Sequence, residues 1–289
     1  MPISEQGYRH WPGTLVERRR PWAPITRLGV KLAFKRKYFK FVLGLSLLPA
    51  LIFSVGVYIS EKIEDFKFMI RGRSQFLTVD PAYFKAYFTS DFLLFMMVMI
   101  MVLAGAGLIA DDLKHNSLQL YFARPLRKRD YLLGKMGVLS FFLLLQTLLP
   151  GLLFFLLKLI FSGSLKFFAQ YPGIPLAVVV DSLVLTVFFG LYTLFISSLG
   201  RNRRFVSIML FLVYIFSDIF FGVFFGIFRR PVFCLLSIKA NLQQVGSALF
   251  GVSGPYDVPW IYSALILAAL AGAAAFVLLR KIRGVEVIR

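Results

Sequence analysis

The chain has 289 residues, 58% of them hydrophobic and only 16% charged, against a charged fraction of about 25% in ordinary soluble domains. So much apolar surface exceeds what a water-soluble core absorbs, which excludes a soluble enzyme or globular binding module. The net charge of +19 is gathered into the segments between apolar runs, so it points to anionic lipid headgroups and not to nucleic acid.

Residues 1–23 carry Pro2, Pro12, Pro21, Gly7, Gly13 and the run Glu17-Arg18-Arg19-Arg20. This composition argues against a packed element and for a flexible cytoplasmic tail, and the first 40 residues are too basic, with apolar content too dispersed, to make a cleavable signal peptide. From Pro24 the pattern changes. Ile25, Leu28 and Leu32 fall on one side of a helix while Arg27, Lys31 and Lys35 recur every fourth residue on another, so residues 24–40 read as an amphipathic helix lying in the membrane interface. Residues 41–289 then form an all-α, six-helix transmembrane domain.

Six apolar runs reach the roughly 20 residues that cross about 30 Å of hydrocarbon as helix. They are Phe41 to Ser60, Phe92 to Ala110, Val138 to Leu157, Ile174 to Leu199, Phe205 to Phe228 and Val258 to Leu279. A transmembrane barrel would need alternating segments of about ten residues, and these runs are apolar all round. Of the 33 Lys and Arg residues, 23 lie in residues 1–40, 111–135, 201–204 and 280–289, and 10 lie in the alternate connections. The positive-inside rule therefore orients both termini to the cytoplasm, in a cell (inner) membrane.

The outer loop from Glu61 to Asp91 mixes charge with Phe66, Phe68, Phe76, Tyr83, Phe84, Tyr87 and Phe88 and is expected to lie against the membrane surface. Residues 229–257 are semi-apolar, with apolar stretches too short to span, which points to a re-entrant or interfacial region between the fifth and sixth spans. Cys234 is the only cysteine, so no intrachain disulfide forms.

Between the second and third spans lies GLIADDLKHNSLQLYFARPLRKRDYLLGK, residues 107–135. Asp111 and Asp112 sit where the second span leaves the membrane, Leu113, Leu118, Leu120 and Phe122 give an apolar side, and Arg124-Pro125 interrupts the helix before a basic cluster. A short amphipathic element of this kind suits a groove on a soluble partner. The segment resembles the signature of permease subunits of type 2 ATP-binding cassette (ABC) exporters through Asp112, Ser117, Leu118, Arg124, Pro125, Arg129, Tyr131, Gly134 and Lys135. That family more often has Glu at the place of Asp112 and Thr at the place of Ser117. The layout is similar too, with a basic elbow helix, six spans and a re-entrant region between the last two.

This resemblance implies that residues 111–123 are a coupling helix, with Asp111, Asp112, Leu113, His115, Ser117, Leu118, Arg124 and Pro125 meeting a separate ATPase. It implies two copies of an ABC ATP-binding subunit as partners, with ATP and Mg held there, and a second permease copy or a paralogue completing the translocation path. No GxxxxGK[ST] phosphate loop occurs in the chain, and neither do HExxH, a cysteine pair or a Gly-x-Ser-x-Gly elbow; His10 and His115 are isolated. The expectation is thus no catalytic residue, no metal site and no cofactor of its own. The alternative is a non-transporting membrane scaffold or mechanotransmitter tied to a cytoplasmic partner. An intramembrane hydrolase is disfavoured for want of paired carboxylates or His-rich faces.

Inside the spans, Asp218 is conspicuous, because a carboxylate at mid-bilayer costs at least roughly 2.5 kcal/mol. Tyr214, Asp218, Gly222 and Gly226 recur every fourth residue and form one stripe, with Gly222 and Gly226 making a GxxxG step. The stripe is expected to face a dimer seam or the translocation path; a mere tether between neighbouring helices is the alternative. Asp181 lies nearer the outer boundary, where a carboxylate reaches water, and reads as structural. The run from Ala268 to Ala275 predicts tight packing of the sixth span, Pro49 and Pro150 predict kinks, and Gln146 can bond across helices.

Overall fold

A computed structural model of the chain describes residues 21–62, 78–117, 121, 126–163 and 165–281. No strand occurs among the described residues, and six helical segments are long and apolar enough to cross a membrane, as a multi-pass membrane protein requires. Helix α1 (Trp22–Phe34) is followed by α2 (Lys37–Ser46) and α3 (Leu48–Glu61), which together make the first candidate span. The second is built from α4 (Pro81–Phe88), α5 (Asp91–Ala104) and α6 (Gly107–Lys114). The third joins α7 (Lys128–Gln146) to α8 (Leu148–Ser162), and the short α9 (Lys166–Gln170) leads into the fourth, α10 (Ile174–Leu199). The fifth is α11 (Arg203–Phe228), the sixth α13 (Trp260–Lys281), and between them lie a 3-10 turn (Pro231–Leu236) and α12 (Ile238–Leu249).

The second, third and fourth spans are more than half buried and form the centre, while the first, fifth and sixth are less than a third buried and stand at the periphery. Helix α10 packs against α6, α7, α8, α11, α12 and α13. Its neighbours leave it buried on most sides, and its polar residues Asp181, Ser182, Thr186, Thr193, Ser197 and Ser198 are all buried among them.

The kinks follow from proline chemistry. Pro150 has no N–H for the carbonyl four residues back, so the third span breaks at Thr147 and the Gln146 carbonyl is freed. The Tyr87 hydroxyl takes that carbonyl at 2.6 Å, while the Gln146 amide turns back to its own helix, to the Phe142 carbonyl at 3.2 Å. The contact across helices expected of Gln146 is thus made by its backbone. Pro49 stands at the start of α3, just after the break at Leu47.

This role of Tyr87 corrects the reading of the 61–91 loop. Of its aromatic residues, Phe66, Phe68 and Phe76 lie outside the described residues, but Phe84, Tyr87 and Phe88 are fully buried. Asp80 caps α4, its carboxylate accepting from the Tyr83 N–H at 3.0 Å, so the segment folds as a helix beneath the surface. Tyr87 then packs edge-on against Phe53 and Phe154, and Phe88 lies tilted against Phe250. Burying such rings against the spans removes more apolar area from water than laying them on headgroups would.

The sixth span packs closely against α10 and α12, with Ala274 buried. Ala271, Ala273 and Ala274 line an apolar cavity of about 300 Å³ between α10, α11 and α13, with Phe188, Met209 and Ile238 opposite. Gly272 faces open space. The small side chains of the run thus border the cavity on one side of a span that packs against its neighbours on another.

Candidate functional site

At the end of the molecule where α1 lies, the second span is interrupted. The N–H groups of Gly105 and Ala106 both reach the Met101 carbonyl, at 2.7 and 3.1 Å, a local widening of the helix between α5 and α6. Ser197 of α10 repairs the break. Its hydroxyl accepts from the N–H groups of Ile109 and Ala110 at 3.0 and 3.1 Å and donates to the Ala106 carbonyl at 2.8 Å. The Leu103 carbonyl, freed by the same interruption, accepts from Arg36 Nη1 at 2.9 Å and Arg203 Nη2 at 2.7 Å.

One turn beyond the break, the expected coupling residues begin. Asp112 Oδ2 accepts from Lys135 Nζ and from the Tyr131 hydroxyl, each at 2.7 Å. The Lys135 ammonium also stands 5.3 Å from the Tyr131 ring centroid and 5.7 Å from that of Tyr121. Burial, followed by the negative charge of Asp112, pushes the Tyr121 phenol above its ordinary range. Gly134, between these two ligands of Asp112, receives α1: the Thr26 hydroxyl donates to its carbonyl at 2.9 Å, and a Cβ there would lie 2.7 Å from that of Ile25. Four residues of the motif therefore meet in one knot that joins the second span, the third span and α1.

Other expected residues fall elsewhere. Leu113 packs against the core, His115 is exposed with Nδ1 2.8 Å from the Asp111 carbonyl oxygen, and Ser117 is half-buried. Leu118, Arg124 and Pro125 lie outside the described residues. The single helix expected over 111–123 is not continuous: α6 ends at Lys114, and Asn116 takes a left-handed backbone with φ 53°. Asp111 and Asp112 thus belong to the last turn of the second span, and the exposed residues at its end are Lys114, the last of the helix, and the turn residues His115 and Asn116. Asparagine is among the few residues that accept this conformation readily, which is why the helix stops there.

The stripe on the fifth span divides along its length. Tyr214 is buried, whereas Gly222 and Gly226 are exposed with nothing within 4 Å of a Cβ. Asp218 is held by α12 and its approach: Oδ1 accepts from the Ser237 hydroxyl at 2.9 Å, and Oδ2 pairs with Lys239 at 2.9 Å. Lys239 stands 3.5 Å from Asp91, which also accepts from the Gln243 amide at 2.9 Å. Burial works against the charge on Lys239, but its hydrogen bond and attraction to Asp218, with Asp91 behind, more than offset this and raise its pKa. Asp218 is therefore a tether between the fifth span and α12.

Asp181 does not reach water. It is 2% exposed in α10 and touches the backbone of α12 at Gly246, where a Cβ would sit 3.4 Å from Oδ2. The helix α12 folds over the mouth that position 181 was expected to face. Sequence reading also passed over Ser197, which looks like any small residue of a span, and over Arg36, Arg203 and Lys239, which entered only as topology charges. A cation in the semi-apolar 229–257 segment, following a span with a lone carboxylate, was the available signal for Lys239.

No group of His, Cys, Asp and Glu residues able to hold a metal occurs among the described residues. The chain matches no protein-family model, and no curated protein matches it.

Proposed function

We propose that this chain is the permease subunit of a type 2 ABC exporter, coupled to a separate ATPase and paired with a second permease copy or paralogue in a cell (inner) membrane. The observation that carries this reading is the knot of Asp112, Tyr131, Gly134 and Lys135, because residues chosen by resemblance to that family's signature converge on one carboxylate and one helix crossing. A loop serving only topology has no need to tie two spans to α1 at this point. In this reading α1 is the elbow at the inner face, the 3-10 turn and α12 are the re-entrant region, and both termini are cytoplasmic. The peripheral, apolar fifth span faces the partner permease.

Force from the ATPase enters through the exposed helix end Lys114-His115-Asn116. It passes along α6 to the break at Gly105, so closure of the ATPase subunits rotates the second span about a hinge that Ser197 holds together. The test is co-purification from the native membrane of any ATP-binding subunit that associates with the chain, together with ATP hydrolysis by the complex. The wild type is expected to bring down an active ATPase, and the double variant Lys114→Glu/His115→Asp, on exposed positions, to lose it while remaining monodisperse. Absence of any associated ATPase would overturn the reading and favour a scaffold.

A further inference from the structure

Beneath the knot, a cavity of about 180 Å³ opens between α1 and the second span, many times the ~15 Å³ that admits one water. Its wall includes Arg36, Arg203, Asp111, Leu28 and Leu32, with the neutralised Asp112–Lys135 pair at one side. Arg36 and Arg203 come from segments far apart in the chain and donate to the same Leu103 carbonyl, so their guanidinium groups lie within a few ångströms of each other. One carbonyl satisfies two donors but does not neutralise two positive charges. Asp111 offsets one of them at most, and no ion pair joins it to either arginine among the described residues. The cavity keeps an unbalanced positive charge, with guanidinium donors left over.

The surface beside it has the opposite character. Leu28 and Leu32 are 54% and 47% exposed, and both border the cavity. Arg27 and Lys31 are exposed on the same helix, and Lys35 is exposed at its C-terminal cap. An anion-accepting crevice bordered by exposed leucines on an amphipathic helix matches one class of ligand, a molecule with a phosphate at one end and an acyl chain at the other.

We propose that this crevice is a binding site for the headgroup of an anionic phospholipid, with the phosphate on Arg36 and Arg203 and the chain laid along Leu28 and Leu32. The ligand bridges α1 and the broken second span, so lipid composition bears on the hinge. The proposal rests on the membrane placement above but not on ATPase coupling. A chain that brings down no ATPase yet holds the lipid would lose the transporter reading and keep this site.

The experiment is native mass spectrometry of the full chain in neutral detergent, offered equal amounts of phosphatidylglycerol and phosphatidylcholine. Both lipids carry the phosphate, so discrimination comes from the choline cation, which the unbalanced positive charge of the crevice repels, and the expected preference is roughly tenfold for phosphatidylglycerol. Equal retention by the wild type overturns the proposal, and that arm does not depend on any variant folding. Arg36→Gln/Arg203→Gln is expected to bring the preference within about twofold, while Lys31→Gln/Lys35→Gln, which removes the same charge outside the crevice, leaves it in place. If the second pair lowers it equally, general surface charge explains binding and the site is lost. Glycerol phosphate is the soluble arm: failure to displace the lipid at equal concentration supports the lipid source, and full displacement assigns the crevice to a free phosphate compound instead.

Discussion

The carboxylate of Asp218 has two partners of different kinds, and their removal has different consequences. Ser237 supplies a neutral hydrogen bond, whereas Lys239 supplies the charge that makes an ionised group tolerable in a span. Both side chains of the ion pair keep some access, 33% for Asp218 and 22% for Lys239, so screening reduces its value. Lys239→Met, which leaves the carboxylate with Ser237 alone, is expected to lower stability in detergent by about 2 kcal/mol. Asp218→Asn keeps a hydrogen-bonding group and is expected to cost about 1 kcal/mol. A double-mutant cycle by thermal unfolding is expected to give a coupling of about 1 kcal/mol, and additive losses would show that the pair contributes nothing. The lone carboxylate was legible from the sequence, because charge in an apolar run is conspicuous. Its partner was not, because pairing depends on how a connecting segment folds back.

At the scale of elements, the crossing of α1 over α7 depends on the absence of side chains. Gly29 lies against Val138, Gly134 against Ile25 and Gly137 against Thr26. Gly134→Val would force the helices apart at the point where the Asp112 knot is anchored, and overpacking of this kind costs about 1–3 kcal/mol. The expected outcome is faster tryptic cleavage after Arg27, Lys31 and Lys35 in the intact protein, with the six-span core still protected; unchanged cleavage would mean that α1 is held by other contacts. The motif signalled that Gly134 mattered, but not why. An unrelated helix supplies the reason, and no spacing within residues 107–135 encodes it. The interruption at Gly105 was hidden for a similar reason. The run of apolar residues from Phe92 to Ala110 has no helix breaker other than Gly105 and Gly107, and the break is stabilised by a serine some ninety residues later. Helix existence follows from local composition, whereas helix continuity follows from which groups elsewhere satisfy the freed carbonyls and N–H groups.

For the whole molecule, six spans were readable because hydrophobic length is a one-dimensional property set by bilayer thickness. The burial of Phe84, Tyr87 and Phe88 was not, since an aromatic connection suits a membrane interface and a helical core equally well by composition. Orientation can be tested directly. Residues 114 and 201 lie at the α1 end of the bundle and residues 166 and 257 at the other, and the proposed topology, argued from the charge bias, has the first pair in the cytoplasm. Cys234, the sole cysteine, is fully buried in the fold, and burial raises its thiol pKa, so the native chain gives little background to a thiol reagent. Single cysteines at Lys114, Arg201, Lys166 and Asp257 are then expected to divide two and two when intact cells are treated with a membrane-impermeant maleimide. Labelling at 166 and 257 alone supports cytoplasmic termini. Labelling at 114 and 201 alone would invert the protein and put the Lys114-His115-Asn116 helix end out of reach of any ATPase, leaving six spans without the proposed coupling.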